Sequence, residues 1–189
     1  MCMYSHIIAV TNRHLCTRPF LEQIERICSC HPQAVLLREK DLSEQEYTIL
    51  AEKVMKICKT YQVPCILHTY FTSAKMLGCP AIHLPLPLLR GYHDQLKEFN
   101  FIGSSVHSLE EAKEAQNLGA TYLTAGHIYE TNCKKGVPAR GLSFLRNICN
   151  NVSVPVYGIG GIKLEKSQLD EIMEQGAAGG CIMSGMMEL

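Results

Sequence analysis

The sequence lacks any long apolar run and any excess of charge of one sign. No run approaches the roughly 20 apolar residues that span a bilayer, and residues 1–10 have no basic region ahead of their short apolar run. The 18 basic residues are balanced by 18 acidic ones, so no basic field predicts nucleic-acid binding and no charge block predicts a disordered tail. We therefore expect a soluble cytoplasmic protein that binds neither membrane nor nucleic acid.

Closely spaced cysteine pairs are also scarce, although the chain has 10 cysteines. Cys28 and Cys30 form the one close pair, and no C-x-x-C motif is present to suggest a zinc site. A chain of 189 residues can form a sizeable core without disulfides. We expect reduced cysteines that pack as small apolar side chains, and we expect no metal site and no cofactor.

What the sequence does contain is a repeated alternation of strands and helices. Apolar runs predict eight strands, at residues 6–10, 33–37, 63–67, 81–84, 101–106, 121–128, 154–159 and 180–183. Helical patterns lie between them, at residues 20–28, 43–61, 71–77, within 92–99, and at 108–118, 141–148 and 166–175. Ser43 with Glu46 and Ser108 with Glu111 are spaced as helix capping boxes.

This alternation predicts an α/β fold, a (β/α)₈ TIM barrel, in a single domain over residues 1–189. After residue 183 there is no room for a full eighth helix. We therefore expect an open groove between the first and seventh helices, either because the chain is shortened or because another surface covers the groove.

Active sites of such barrels lie at the carboxyl ends of the strands, which selects the residues that follow each strand. They are Arg38 and Lys40 after the second strand, Ser105 and His107 after the fifth, His127 and the loop to Lys135 after the sixth, Gly160 and Gly161 after the seventh, and Ser184 and Gly185 after the eighth. All except His107 could face the opening of the barrel at the carboxyl ends of the strands, here called the mouth.

The loops after the seventh and eighth strands are where many barrels bind phosphate through backbone N–H groups. Gly160-Gly161 and Ser184-Gly185 leave room for such an approach. A tight turn is the alternative explanation for each motif. Two such turns at both expected positions favour phosphate binding.

His127 is the strongest candidate for proton transfer, because a histidine can both remove and return a proton near neutral pH. The alternative is a core histidine satisfied by backbone groups. For His107, which precedes a capped helix, we favour a structural role. We expect His68 and His83 to lie too far apart in the fold to imply a metal site on their own.

Arg38, Glu39 and Lys40 alternate at a strand end, which places the two cations on one side and Glu39 on the other. A solvated or ion-paired rim and a ligand contact are both open explanations. On the loop after the sixth strand, Lys134 is a candidate anion contact, and Cys133 lies beside it.

Five separated motifs, in order, resemble the thiamine phosphate synthase superfamily, and within it the thiazole tautomerases called TenI. They are Arg38-Glu39-Lys40, the GSSVHSLEE run at 103–111, the GATY run at 119–122, the loop ETNCKKG at 130–136, and PVYGIGGI at 155–162. The synthase branch has Gly-Pro before an aromatic residue and a Thr-x-Thr-Lys loop. This chain has Gly126-His127 in place of Gly-Pro, and its loop at residues 130–136 is similar to the tautomerase loop.

The departures from the synthase pattern concern the magnesium site. The resemblance implies that synthases hold magnesium and pyrophosphate with an Asn-Asp pair after the third strand and a further carboxylate beyond the fourth, since a hard cation needs oxygen ligands. Here these positions are His68-Thr69 and the LPLP run at 84–87. Arg38 and Lys40 remain, but without the metal a pyrophosphate leaving group loses its main neutralising charge.

The resemblance implies aromatisation of the 2-carboxy-4-methylthiazole phosphate tautomer of thiamine biosynthesis. A proton leaves ring carbon C2 and another reaches the exocyclic carbon, with His127 as the base that does both. Thr131 and Lys134, with the backbone at Gly160, Gly161, Ser184 and Gly185, would hold the phosphate or carboxylate of the phosphorylated thiazole substrate. Arg38, Lys40 and Ser105 complete the expected substrate contacts, and we expect a homo-oligomer with a dimer favoured.

Two other functions stay open at this point. The first is a thiamine phosphate synthase with relocated metal ligands, which magnesium dependence would reveal. The second is a non-catalytic protein that binds thiazole phosphate or thiamine phosphate and uses the open groove as a partner surface. Fold alone does not decide between them, because barrels host unrelated chemistries.

Overall fold

In a computed structural model that describes residues 3–131 and 136–189, eight parallel strands close into a barrel in sequence order. The strands are β1 (Ile7–Val10), β2 (Ala34–Leu37), β3 (Cys65–His68), β4 (Ala81–Pro85), β5 (Phe101–Val106), β6 (Tyr122–Gly126), β7 (Val156–Ile159) and β8 (Gly179–Ile182). β8 pairs with β1 and closes the ring. The predicted (β/α)₈ fold is confirmed.

Helices connect the strands around the outside. They are α1 (Phe20–Ser29), α2 (Glu44–Thr60), α3 (Phe71–Met76), α4 (Leu86–Tyr92), α5 (Leu109–Asn117), α6 (Gly141–Cys149), α7 (Lys166–Met173) and α8 (Ser184–Met187), with 3₁₀ turns at Met3–His6, Arg13–Leu15 and His93–Glu98. The capping box of Ser43 and Glu46 begins α2 as predicted. At α5, Ser108 accepts from the Glu111 N–H, but the Glu111 carboxylate accepts from His107 N–H, one residue earlier than a capping box requires.

α4 lies earlier in the chain than the predicted window of residues 92–99. It begins at Leu86, directly after β4, and residues 93–98 form a 3₁₀ turn instead. Pro87 falls in the first turn of α4, where a helix makes no use of the N–H that proline lacks. Pro85 and Pro87 directly follow the predicted strand at 81–84, and prolines in such a place are as typical of a strand end as of a first helical turn, so the sequence placed the helix too late.

Two apolar layers follow from the alternation of side chains along each strand. Outward residues such as Ile7, Val35 and Leu67 pack against the helices in one large cluster. Inward residues fill the lower barrel with a second cluster, which consists of Ile8, Val10, Ala34, Leu36, Ile66, Ala81, Tyr122 and Cys181. The inward positions that come next along the strands are therefore the ones that form the floor of the mouth.

α8 overturns the expectation of an open groove after β8. Although this helix has only four residues, its Met186 and Met187 are completely buried. The Gln23 side-chain amide of α1 donates to the Met186 carbonyl over 2.8 Å. Two long, flexible methionine side chains fill the space that a full helix would otherwise cover.

No helix among the described residues is long and apolar enough to cross a membrane. The cysteines of these same ranges carry free thiols and form no disulfide with one another.

Candidate active site

Polar side chains gather where the inward positions of the strands reach the carboxyl end of the barrel. The inward alternation continues from Leu36 to Arg38, from Ile66 to His68, and from Tyr122 to Thr124. His83 and Ser105 lie between them on β4 and β5 and are hydrogen-bonded to each other. The floor of the mouth is thus polar, directly above an apolar barrel interior.

His83 lies at the centre of this floor and forms hydrogen bonds through both ring nitrogens. Its Nε2 lies 2.8 Å from Ser105 Oγ, and its Nδ1 lies 2.9 Å from the Tyr122 hydroxyl. Thr124 Oγ1 donates to Ser105 Oγ over 3.1 Å. A Cβ at Gly103 would come within 2.4 Å of the His83 ring and 2.1 Å of the Tyr122 ring, so glycine there makes room for the network.

His68 stacks on His83, and the prediction that these histidines lie far apart is wrong. Their ring centroids are 5.6 Å apart, because they are register partners on the neighbouring strands β3 and β4. Thr69 Oγ1 lies 2.6 Å from His68 Nδ1. Burial, together with His83 and the cations Arg38 and Lys40, lowers the pKa of His68 to about 2, and burial with Arg38 lowers that of His83 to about 3. Both rings are neutral near pH 7.

Arg38 and Lys40 lie on the mouth side of β2, and Glu39 faces away, as the alternation predicted. The Glu39 carboxylate is 2% exposed and accepts from Thr11 Oγ1 at 2.7 Å and from Arg13 at 3.1 Å. In residues 3–131 and 136–189 neither Arg38 nor Lys40 forms an ion pair with a carboxylate. Burial and the nearby Arg38 lower the pKa of Lys40.

His127 follows β6 and is held between its own loop and the β7 turn. Its Nε2 lies 3.2 Å from the Val137 carbonyl, and since a carbonyl can only accept, Nε2 carries the hydrogen and donates. Its Nδ1 is buried without a partner among the described residues. The whole residue is 4% exposed. In the tautomer with its hydrogen on Nε2, the neutral form of the ring has an unused lone pair at Nδ1.

The glycine turn after β7 touches this histidine directly. Gly160 and Gly161 have φ values of +93° and +70°, which favour glycine. A Cβ at Gly160 would lie 2.3 Å from His127 Cβ, and one at Gly161 would lie 2.5 Å from the Glu130 carbonyl oxygen. A bulky residue at Gly161 would thus disrupt the turn itself as well as any ligand contact made by its backbone.

The loops after β7 and β8 are also in contact. A Cβ at Gly185 would lie 3.0 Å from Leu164 Cβ, in the segment that follows Gly161. Ser184 is exposed at the start of α8. The two sequence motifs that we associate with phosphate therefore lie at the same side of the mouth.

The remaining predicted residues lie on or near the loop after β6. Thr131 is the last described residue before residues 132–135, and it is half-buried. Lys134 and Cys133 lie outside the described residues. His107 Nδ1 lies 2.7 Å from the Gly126 carbonyl, to which it donates, in keeping with a structural role beside β6.

The sequence reasoning missed His68, His83, Tyr122 and Thr124 as parts of this site. The alternation of inward and outward side chains along each strand did indicate them. The inward residues that come next after the apolar ones form one layer across neighbouring strands. Counting those positions on neighbouring strands would have placed the two histidines together.

The fold and this polar mouth define the protein as a (β/α)₈ barrel of the enzyme type, with its candidate site at the usual end of the strands. The family model described as "TMP-TENI: Thiamine monophosphate synthase" matches residues 7–186. The chain belongs to this family.

Individual relatives extend this finding. The chain is 34% identical to a thiamine-phosphate synthase of Clostridium acetobutylicum over 97% of this chain and 87% of that protein. It is 32% identical to thiamine-phosphate synthase 2 of Streptococcus pneumoniae over 95% and 86% of the two chains. Among solved structures, a thiamine phosphate pyrophosphorylase from Pyrococcus furiosus superposes with a TM-score of 0.83 at 26% identity, covering 98% of this chain and 88% of that one. These names describe synthases and do not specify the tautomerase branch.

Proposed function

We propose that this protein is a thiazole tautomerase that aromatises a phosphorylated carboxythiazole by moving a proton between two carbons. The observation that carries the proposal is the state of His127, whose Nε2–H donates to Val137 while Nδ1 keeps a buried lone pair without a partner. A fixed tautomer with one free nitrogen is what a general base requires.

The proposed reaction uses one residue twice. Nδ1 of His127 takes the proton from ring carbon C2, and the electron pair of that C–H bond moves into the ring. The exocyclic carbon then receives a proton from the imidazolium, and the ring system becomes aromatic. The Val137 carbonyl at 3.2 Å from Nε2 stabilises the positive charge of the intermediate imidazolium.

The substrate class in this proposal rests on family membership and on the glycine turns. The loops at Gly160-Gly161 and Ser184-Gly185 would hold the phosphate through backbone N–H groups. Thr131 and Lys134 remain proposed contacts to an anionic group. Ser105, fixed by His83 and Thr124, can direct its hydroxyl toward a ligand in the mouth.

The residues at the ends of β3 and β4 do not fit the magnesium that the resemblance attributes to synthases. Magnesium prefers carboxylate and water oxygens in an octahedral arrangement, whereas His68 ends β3, Thr69 follows it and Pro85 ends β4. The nearby carboxylate of Glu39 is bound to Thr11 and Arg13. We derive no step through a metal ion.

A thiamine-phosphate synthase is the second candidate, because the relatives at 32% and 34% identity bear that name. Arg38 and Lys40 could contact a pyrophosphate in such a reaction. This candidate needs magnesium, and the ends of β3 and β4 supply no carboxylate to hold it.

Two assays on the wild-type protein separate these functions. The first follows the ultraviolet spectrum of the non-aromatic thiazole tautomer in the presence of a chelator. The second follows the magnesium-dependent joining of the pyrimidine pyrophosphate to thiazole phosphate. We expect aromatisation whose rate the chelator leaves unchanged, since proton transfer to carbon needs no metal when a basic nitrogen is in place. Joining without aromatisation would establish the second candidate, and ligand binding without either reaction would establish a non-catalytic binder.

A further inference from the structure

The ends of β2, β3 and β4 enclose a cavity of about 260 Å³ that the proposed proton transfer does not use. It is lined by Glu39, Lys40, His68, Thr69, Tyr70 and Pro85. It lies in the mouth away from β7 and β8, since the strands follow one another around the ring in sequence order. A ligand anchored at the glycine turns reaches it by spanning the mouth.

The charges around this cavity favour an anion. Arg38 and Lys40 are close enough to each other and to His68 to lower the pKa values of the lysine and the histidine, and neither cation has a carboxylate partner in the part of the chain that the structure describes. The Glu39 carboxylate faces away from the mouth and accepts from Thr11 and from Arg13, whose guanidinium also pairs with Asp41. Two cations that no carboxylate of the described residues engages thus lie on the mouth side of β2, and Lys40 lines the cavity itself.

The neutral side chains add a directed hydrogen bond. With the Thr69 hydroxyl as donor to His68 Nδ1, at 2.6 Å, the hydrogen of this neutral imidazole is on Nε2, the nitrogen that Thr69 does not contact. The stacked His83 ring fixes the plane of His68. A donor of this kind beside two cations suits a small, planar, singly charged group better than a pyrophosphate, whose higher charge calls for a metal ion as well.

We propose that this cavity binds the carboxylate of the substrate through Lys40 and His68 of its lining, with Arg38 two residues before Lys40 on the same side of β2, while the phosphate occupies the glycine turns across the mouth. This assignment rests on the proposed function, because it takes a substrate with two separate anionic groups. It makes the cavity a specificity site that distinguishes a carboxylated thiazole phosphate from the same molecule without the carboxylate.

The test is an equilibrium binding titration with two stable ligands, the aromatic 2-carboxy-4-methylthiazole phosphate and the thiazole phosphate that lacks the carboxylate. We expect wild-type protein to bind the carboxylated ligand roughly tenfold or more tightly, the usual effect of hydrogen bonds to a charged group. Lys40→Met and His68→Phe should each reduce that ratio, and Arg38→Met with Lys40→Met should bring it close to one. The affinity for the second ligand should change by less than about twofold. Lys56→Met is the matched control, since Lys56 is an exposed lysine of α2 paired with Glu52.

The possible results separate this inference from the proposed function. Equal affinities of wild type for both ligands, or an equal loss of both in the Arg38 and Lys40 variants, would overturn the carboxylate site even if the protein aromatises the tautomer. A carboxylate-dependent affinity that these variants abolish, in a protein without turnover, would support the site and reject the tautomerase. Failure to bind either ligand would overturn both.

Discussion

At the scale of single residues, the two stacked histidines at the floor of the mouth predict how stability depends on pH. Burial depresses the pKa values of His68 and His83 to about 2 and about 3 in the folded protein, whereas an unfolded histidine titrates near pH 6.5. The unfolded chain therefore binds up to two more protons as the pH falls below about 6.5. The free energy of unfolding should then decrease with a slope approaching about 2.7 kcal/mol per pH unit.

Urea denaturation at several values between pH 7 and pH 5 measures this slope. The range stays above the ordinary pKa of carboxylates, so acidic side chains contribute little to it. His68→Asn removes one of the two groups and should reduce the slope by up to about 1.4 kcal/mol per pH unit. An identical slope in wild type and in His68→Asn would show that His68 is not held neutral by the fold.

At the scale of elements, the turn after β7 and the loop after β6 act as one unit. Gly160 and Gly119 have the same φ of +93°, but a Cβ at Gly160 would lie 2.3 Å from His127 Cβ, whereas nothing lies within 4 Å of one at Gly119. Gly119→Ala should cost about 1–2 kcal/mol of stability for its backbone alone and leave turnover unchanged. Gly160→Ala should cost more and should also reduce turnover, because it displaces the proposed base.

Thermal or urea unfolding together with the aromatisation rate tests this pair. The comparison isolates the contact with His127, since the backbone conformation is matched. Equal losses of stability in the two variants, with normal turnover in Gly160→Ala, would mean that the position of His127 does not depend on the β7 turn.

At the scale of the whole molecule, the sequence was sufficient for the architecture and for part of the site. Strand and helix periods repeat along the chain, so the barrel and the capping box of α2 could be predicted from local patterns. α4 was harder to predict from the sequence, because Pro87 begins a helix as readily as it ends a strand. α8 was harder to predict because the burial of Met186 and Met187 depends on tertiary packing.

The site shows the same division between local and tertiary information. Arg38, Ser105 and the glycine turns could be placed at the mouth from strand ends alone. The His68–His83 stack and the network through Tyr122 depend on register between neighbouring strands, which no single run of residues reveals. Which nitrogen of His127 is hydrogen-bonded, and which has no partner among the described residues, depends on the fold of the loop that supplies Val137.

The measurement that tests the account most directly is the aromatisation rate of His127→Gln. The glutamine amide can replace Nε2–H as donor to the Val137 carbonyl, but it supplies no basic nitrogen at the position of Nδ1. His107→Asn is the matched control, because its amide can keep the donated hydrogen bond to the Gly126 carbonyl. We predict that His127→Gln lowers kcat by about 10²–10⁴-fold with ligand affinity retained, and that His107→Asn stays near the wild-type rate. A near-normal kcat in His127→Gln would contradict the central claim that this histidine moves the proton.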